Sequence, residues 1–229
     1  MGRMQTSSAV IRGLCIIWFA VFVIAAFVLN ASDFNVKGIF FPRELRVPQL
    51  NTVTKVKIDP CGKLKLCPDE QFSFSISSGA ASVVQPKICL QNQLILGNPN
   101  KNSGVGINIA VVNGKTGKVQ DTGNFDMYGG EIEPLIKFLK TIEKGSVVLI
   151  ASFDEPATKL NSEARKLIAD LGSSAINSIG FRDNWIFVGG KGITSSHMEK
   201  LIKNKPGTNK YDGWPEMIEL DGCIPQYME

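Results

Sequence analysis

Histidine is almost missing from this chain: His197 is the single one among 229 residues. That scarcity removes whole classes of chemistry. A Ser-His-Asp triad needs a histidine beside a nucleophile, and no Gly-x-Ser-x-Gly elbow is present. His197 reads as an exposed polar residue on a short surface helix, Ser196 to Asn204. Phosphate loops are missing too. Gly114-Lys-Thr-Gly-Lys118 invites that reading, but the Walker pattern needs a glycine where Ile109 stands. No glycine pair has the Rossmann spacing ahead of a helix. There is also no long run of like charge. With Arg3 and Arg12 set aside, 23 basic residues face 21 acidic ones. That near balance argues against nucleic acid and against a polybasic membrane anchor.

Cysteine is sparse but informative. Cys15 lies in an apolar leader, leaving Cys61, Cys67, Cys89 and Cys223. An even set suits disulfides in an oxidising compartment. Four cysteines allow three pairings, and the sequence alone does not choose among them. Zinc needs close cysteine or histidine pairs, and none is present. No metal and no cofactor are expected.

The N-terminus points to the secretory pathway. Arg3 and Arg12 precede a 17-residue stretch without charge, Gly13 to Leu29. It is longer than a usual signal-peptide core and at the short limit of a membrane span. Residues 1–31 are therefore read as a signal peptide, with a retained type II signal anchor as the alternative. Either way the positive flank places the remainder in the lumen. Residues 32–60 read as a flexible tether, with scattered prolines and no sustained period.

From Gln71 the pattern becomes that of an α+β domain. Phe72, Phe74 and Ile76 alternate with serines, as on a half-buried strand. Ile88–Leu96, Val105–Val112, a hairpin return at Lys118-Val119, Ser146–Ser152, Trp185–Val188 and Met217–Leu220 are further strands. A pair of glycines, Gly189 and Gly190, ends the Trp185 strand. Two amphipathic helices are expected: Glu131–Glu143, with Pro134 in its first turn, and Ser162–Leu171, between Asn161 as N-cap and Gly172 as C-cap.

Chemistry gathers where charge meets these strands. Arg182 and Asp183 stand at the mouth of the Trp185 strand, and Asp154-Glu155 follows the Ser146 strand. Charges at such places pair with each other or meet a ligand. On one reading Arg182 pairs with a nearby acid and locks loops together. On the other, Arg182, Asp154 and their neighbours line a polar pocket, with Trp185 or Tyr128 offering an apolar face to a sugar. Trp214, in Tyr211-Asp-Gly-Trp214, reads mainly as a loop pin.

Several motifs occur in one order: Ser78-Gly-Ala-Ala81, Lys87-Ile-Cys-Leu90, Gly106-Ile-Asn-Ile-Ala-Val-Val-Asn-Gly114, Phe125-Asp-Met127, Asp154-Glu-Pro-Ala-Thr-Lys159, Arg182-Asp-Asn-Trp185 with Gly189-Gly190, and Asp221-Gly-Cys-Ile-Pro225. With the four cysteines they resemble the PANDER/ILEI family of small secreted, cytokine-like proteins, nearest its ILEI branch. The shared module is also called a GG-type lectin domain. The resemblance covers residues 61–225 and implies a sandwich of two mostly antiparallel sheets flanked by two or three short helices. It implies the bridges Cys61–Cys89 and Cys67–Cys223. The stem domain of protein O-mannose N-acetylglucosaminyltransferase is similar to this module, and its sugar-contacting aspartate and arginine fall on Asp154 and Arg182. The resemblance implies sugar contacts at Asp154 and Arg182, and with their neighbours the expected carbohydrate site is Asp154, Arg182, Asp183 and Trp185. A glycosidase would also use two carboxylates, but the family offers no precedent for hydrolysis. The expected function is that of a secreted, cytokine-like signalling protein that binds a cell-surface receptor, a glycan or both, without catalysis. The alternative is a Golgi or membrane-anchored luminal carbohydrate-binding module. This chain departs from the family at Val105, where an arginine is usual, at Gln91-Asn92, where acids are usual, and at Val188, where the ILEI branch has a cysteine.

Overall fold

The computed structural model describes residues 61–62, 66–193 and 197–227. The leader and the tether lie outside the described residues, which belong to the compact unit Val56–Glu229. They form nine strands: β1 (Gln71–Ser77), β2 (Lys87–Leu90), β3 (Gln93–Leu96), β4 (Gly106–Asn113), β5 (Val119–Phe125), β6 (Ser146–Phe153), β7 (Asn184–Gly190), β8 (Met198–Ile202) and β9 (Glu219–Pro225). Two helices join them, α1 (Glu133–Thr141) and α2 (Ser162–Ala169).

The strands make two antiparallel sheets, ordered β3-β2-β1-β9 and β5-β4-β6-β7-β8. Side chains alternate along each strand, and this splits the core into two layers. Phe72, Phe74 and Ile76 of β1 meet Ala110 and Val112 of β4, Leu149 of β6 and Ile186 of β7 between the sheets. The opposite face of the five-stranded sheet, with Ile109, Ile150, Trp185 and Phe187, packs on Leu135 and Leu139 of α1 and Ile168 of α2. Strands β6 and β7 are covered on both faces, which is why their centres, Val147–Ala151 and Trp185–Val188, are apolar.

The disulfides are Cys61–Cys89 and Cys67–Cys223, the pairing that the resemblance implies. Cys89 pairs in register with Ser75, and Cys223 with Ser73. Both bridges therefore lie on the outer face of the four-stranded sheet, fastening Cys61 and Cys67 to either side of β1.

Local structure departs from the sequence reading in several places, and the last strand, expected at Met217–Leu220, is β9 at Glu219–Pro225. Ile88–Leu96 is not one strand but a hairpin. Gln91 and Asn92 both take positive φ, +48° and +63°, in a two-residue reverse turn. The expected helix at Ser196–Asn204 is instead the edge strand β8 over its described residues, with Met198 opposite Val188 and Leu201 opposite Trp185. Helix-forming residues yield there because Met198 and Ile202 pack on one core layer and Leu201 on the other, a period of two. Helix α2 ends at its C-cap Asp170, two residues before Gly172. Gly189 and Gly190 do not end β7 but belong to it, opposite Val148 and Val147.

Candidate functional site

The antiparallel pairing of β6 and β7 brings the end of one beside the start of the other. Asp154 and Arg182 thus emerge at the same end of the five-stranded sheet. Both residues take left-handed backbone, φ +60° and +56°, which is uncommon for arginine and better tolerated by aspartate. Glu155 braces the loops that carry them. It is 2% exposed, and its carboxylate accepts from Ala157 N and Thr158 N at 2.9 Å each and from Arg182 N at 3.3 Å. One buried carboxylate thereby ties the two loops together.

Trp214 completes the cluster. Its loop doubles back through paired backbone hydrogen bonds with Tyr211. The indole Nε1 donates to Asp154 Oδ1 at 2.9 Å. The same ring lies 4.0 Å from Arg182 Cζ, and the Phe181 ring lies 4.9 Å from it. The arginine is held by aromatic faces. It forms no ion pair with a described acid, contrary to the loop-locking reading. A β-carbon on Gly213 would stand 2.9 Å from Arg182 Nη1, so a larger residue there would displace the end of the arginine.

The other two expected residues point elsewhere. Asp183 is buried and accepts from Gly180 N and Asn204 N at 2.7 Å each, and it pairs with Lys203. Its role here is to organise the loops around β7. Trp185 is fully buried among the side chains packed on the helices, stacked with Phe187. Its ring offers no face to solvent, and its Nε1 donates to Glu199 Oε1 at 2.8 Å. Trp214 and Phe181 occupy the aromatic place that the sequence reading gave to Trp185. Tyr128, 63% exposed, follows β5 on a loop held by Asp126 Oδ1.

Beneath the cluster, Ser152, Asn184 and Ser78 form a buried polar network. Ser152 Oγ donates to Asn184 Oδ1 at 2.9 Å and accepts from Trp185 N at 2.8 Å. Asn184 Nδ2 donates to Glu216 O at 2.7 Å, and Ser78 Oγ accepts from Ile218 N at 2.9 Å. These bonds tie the base of the Trp214 loop to both sheets. Lys203, Lys205, Lys210 and Glu216 are among the residues lining a cleft of about 500 Å³. Among the described residues no group of three His, Cys, Asp or Glu side chains is placed to hold a metal ion.

The family model for the interleukin-like EMT inducer, ILEI, matches residues 105–193. The chain is 51% identical over 211 residues to protein FAM3C of Danio rerio, which covers 92% of each chain. It is 57% identical to human FAM3C over 167 residues, covering 72% of this chain and 74% of the relative. With human FAM3D it shares 46% identity over 219 residues, covering 95% of this chain and 97% of the relative. The chain belongs to the FAM3 family, the ILEI/PANDER family. FAM3 proteins are cytokine-like, and that is the general kind of this chain. The segment matched by the ILEI model runs from the start of β4 to just past β7 and contains Asp154 and Arg182. It stops before Trp214 and excludes both disulfides. Of the cluster, Trp214 therefore comes from outside the matched segment, whereas Glu155 and Phe181 lie within it.

Proposed function

We propose that this FAM3 protein is secreted through the ER and Golgi and signals by binding, with a lectin-type module and without catalysis. Its partners are a cell-surface receptor, a glycan or both. The observation that carries this reading is the Asp154–Trp214–Arg182 cluster. It combines a carboxylate, a guanidinium and an aromatic ring at one end of a disulfide-fastened sandwich. Sugar hydroxyls take bonds from such polar groups, and sugar C–H faces lie against such rings. The non-catalytic reading is supported by how the acids are used. Glu155 and Asp183 spend their oxygens on backbone N–H groups and, for Asp183, Lys203. A carboxylate so engaged is poorly suited to act as an acid or a base.

The test expresses the full chain in cultured mammalian cells and recovers it from the medium. The purified protein is then applied to a glycan array beside an Asp154→Ala variant. Protein in the medium and glycan binding lost in the folded variant are the expected results. Retention in the cell pellet would overturn secretion. Absence of any glycan signal would leave the receptor as the partner to pursue by cell-surface crosslinking.

A further inference from the structure

Arg182 carries a charge that no described acid answers. The four salt bridges of the described residues all use lysine. None of the three guanidinium nitrogens of Arg182 has a hydrogen-bond partner among the described residues, and only Nε is buried. Nη1 and Nη2 therefore reach solvent with their donors unspent. The neighbouring carboxylates turn away: Asp154 Oδ1 takes the Trp214 indole, Glu155 takes backbone, and Asp183 takes Lys203 and backbone. Arg182 Cζ lies over two rings, 4.0 Å from the Trp214 centroid and 4.9 Å from the Phe181 centroid. Its unspent Nη1 and Nη2 donors are the pair that a carboxylate takes through two parallel N–H···O bonds.

We propose that the ligand of this site is an acidic sugar whose carboxylate docks on Nη1 and Nη2 of Arg182. This rests on the carbohydrate reading above and narrows it. Asp154 Oδ2 accepts no bond from a described residue and is the acceptor for a hydroxyl of the same sugar ring. Phe181, 49% exposed beside the guanidinium, gives the ring an apolar neighbour. The uncompensated cation explains why a neutral sugar is the poorer fit. It would leave a charged fork partly desolvated with only dipoles to answer it.

The experiment is calorimetric titration of the full-length secreted protein with a matched pair, methyl β-glucuronide and methyl β-glucoside. The two differ only in the carboxylate. The glucuronide is expected to bind about tenfold or more tightly, since a charge-assisted bidentate contact is worth at least that factor. Its advantage shrinks at high salt. Arg182→Lys keeps the charge without the fork and loses most of the preference, and Arg182→Gln abolishes it. Near-ultraviolet circular dichroism checks that both variants are folded, and the wild-type pair decides the matter without them. Equal binding of the two sugars would overturn the acidic ligand and leave the carbohydrate reading standing. Binding of neither would overturn both. A preference that survives in folded Arg182→Gln would remove Arg182 from the site.

Discussion

The indole of Trp214 donates to Asp154, 60 residues earlier in the chain, while its face carries the guanidinium of Arg182. One side chain thus sets the positions of two others on different loops. Trp214→Phe keeps a ring for the guanidinium but deletes the N–H. It should cost about 1 kcal/mol of stability, as one hydrogen bond does. Trp214→Ala removes both contacts and should cost about 2–4 kcal/mol. Urea denaturation of the two variants checks the order. Equal losses would mean that the indole hydrogen bond and the ring are not separate contributions.

Glu199 is the second junction, and it makes stability depend on pH. Burial works to raise its pKa, but bonds from Ser173, Trp185 and Ser174 and from the Ala175 backbone outweigh burial and lower it. A carboxylate whose folded pKa is depressed stabilises the fold fully above its unfolded value, about 4.3. That contribution is lost as pH falls through the folded value. Glu199→Gln cannot accept all of these donors, and at neutral pH it should cost about 1–3 kcal/mol. The gap between wild type and variant should be constant from pH 7 to about pH 5 and then close on acidification. Thermal midpoints measured across that range test it. A gap that widens in acid would contradict the direction of the shift.

Much of this fold was legible because period and burial agree. Phe72, Phe74 and Ile76 alternate in sequence and point into one layer in space. The run Val147 to Ala151 is apolar throughout because both faces of β6 are covered. Strand β8 was misread for a physical reason. Met198-Glu-Lys-Leu-Ile202 favours helix locally, and only its pairing with β7 and the two core layers reveal the period of two. At the site, Asp154 and Arg182 were legible as charges at strand ends. What the sequence did not reveal is which way adjacent residues face. The positive φ at Arg182 sends its side chain toward Trp214, whereas Asp183, the next residue, turns inward to Lys203. The turn formers around Trp214 point to a loop pin. It is one, and it pins the loop to the site itself.

The two disulfides should differ in what they contribute. Cys67–Cys223 spans 156 residues and Cys61–Cys89 spans 28. Loop-closure entropy then gives about 5 kcal/mol for the long bridge and about 3.5 kcal/mol for the short one. The double variant Cys67→Ala/Cys223→Ala should accordingly have the lower urea midpoint. The short bridge has an opposing feature, because Cys89 is fully buried and its replacement also leaves a small void. If Cys61→Ala/Cys89→Ala proves the less stable, packing at Cys89 outweighs the difference in loop length.

The paired glycines of β7 are needed by the layer beside them and not by a turn. A β-carbon on Gly189 would stand 2.7 Å from Leu171 O and 2.2 Å from the Phe187 ring. The neighbouring Gly190 N donates to that same carbonyl at 3.0 Å. The backbone that follows α2 therefore lies directly on β7, where only glycine leaves room. Gly189→Ala would force Leu171 or Phe187 to move and should cost about 1–3 kcal/mol, as overpacking does. Gly207 is a useful contrast. Its β-carbon would meet nothing within 4 Å, but its φ is +84°. Gly207→Ala carries only the backbone penalty, about 1 kcal/mol. Chemical denaturation of the two variants should place Gly189→Ala clearly below Gly207→Ala. The reverse order would show that β7 yields more readily than the contact distances imply.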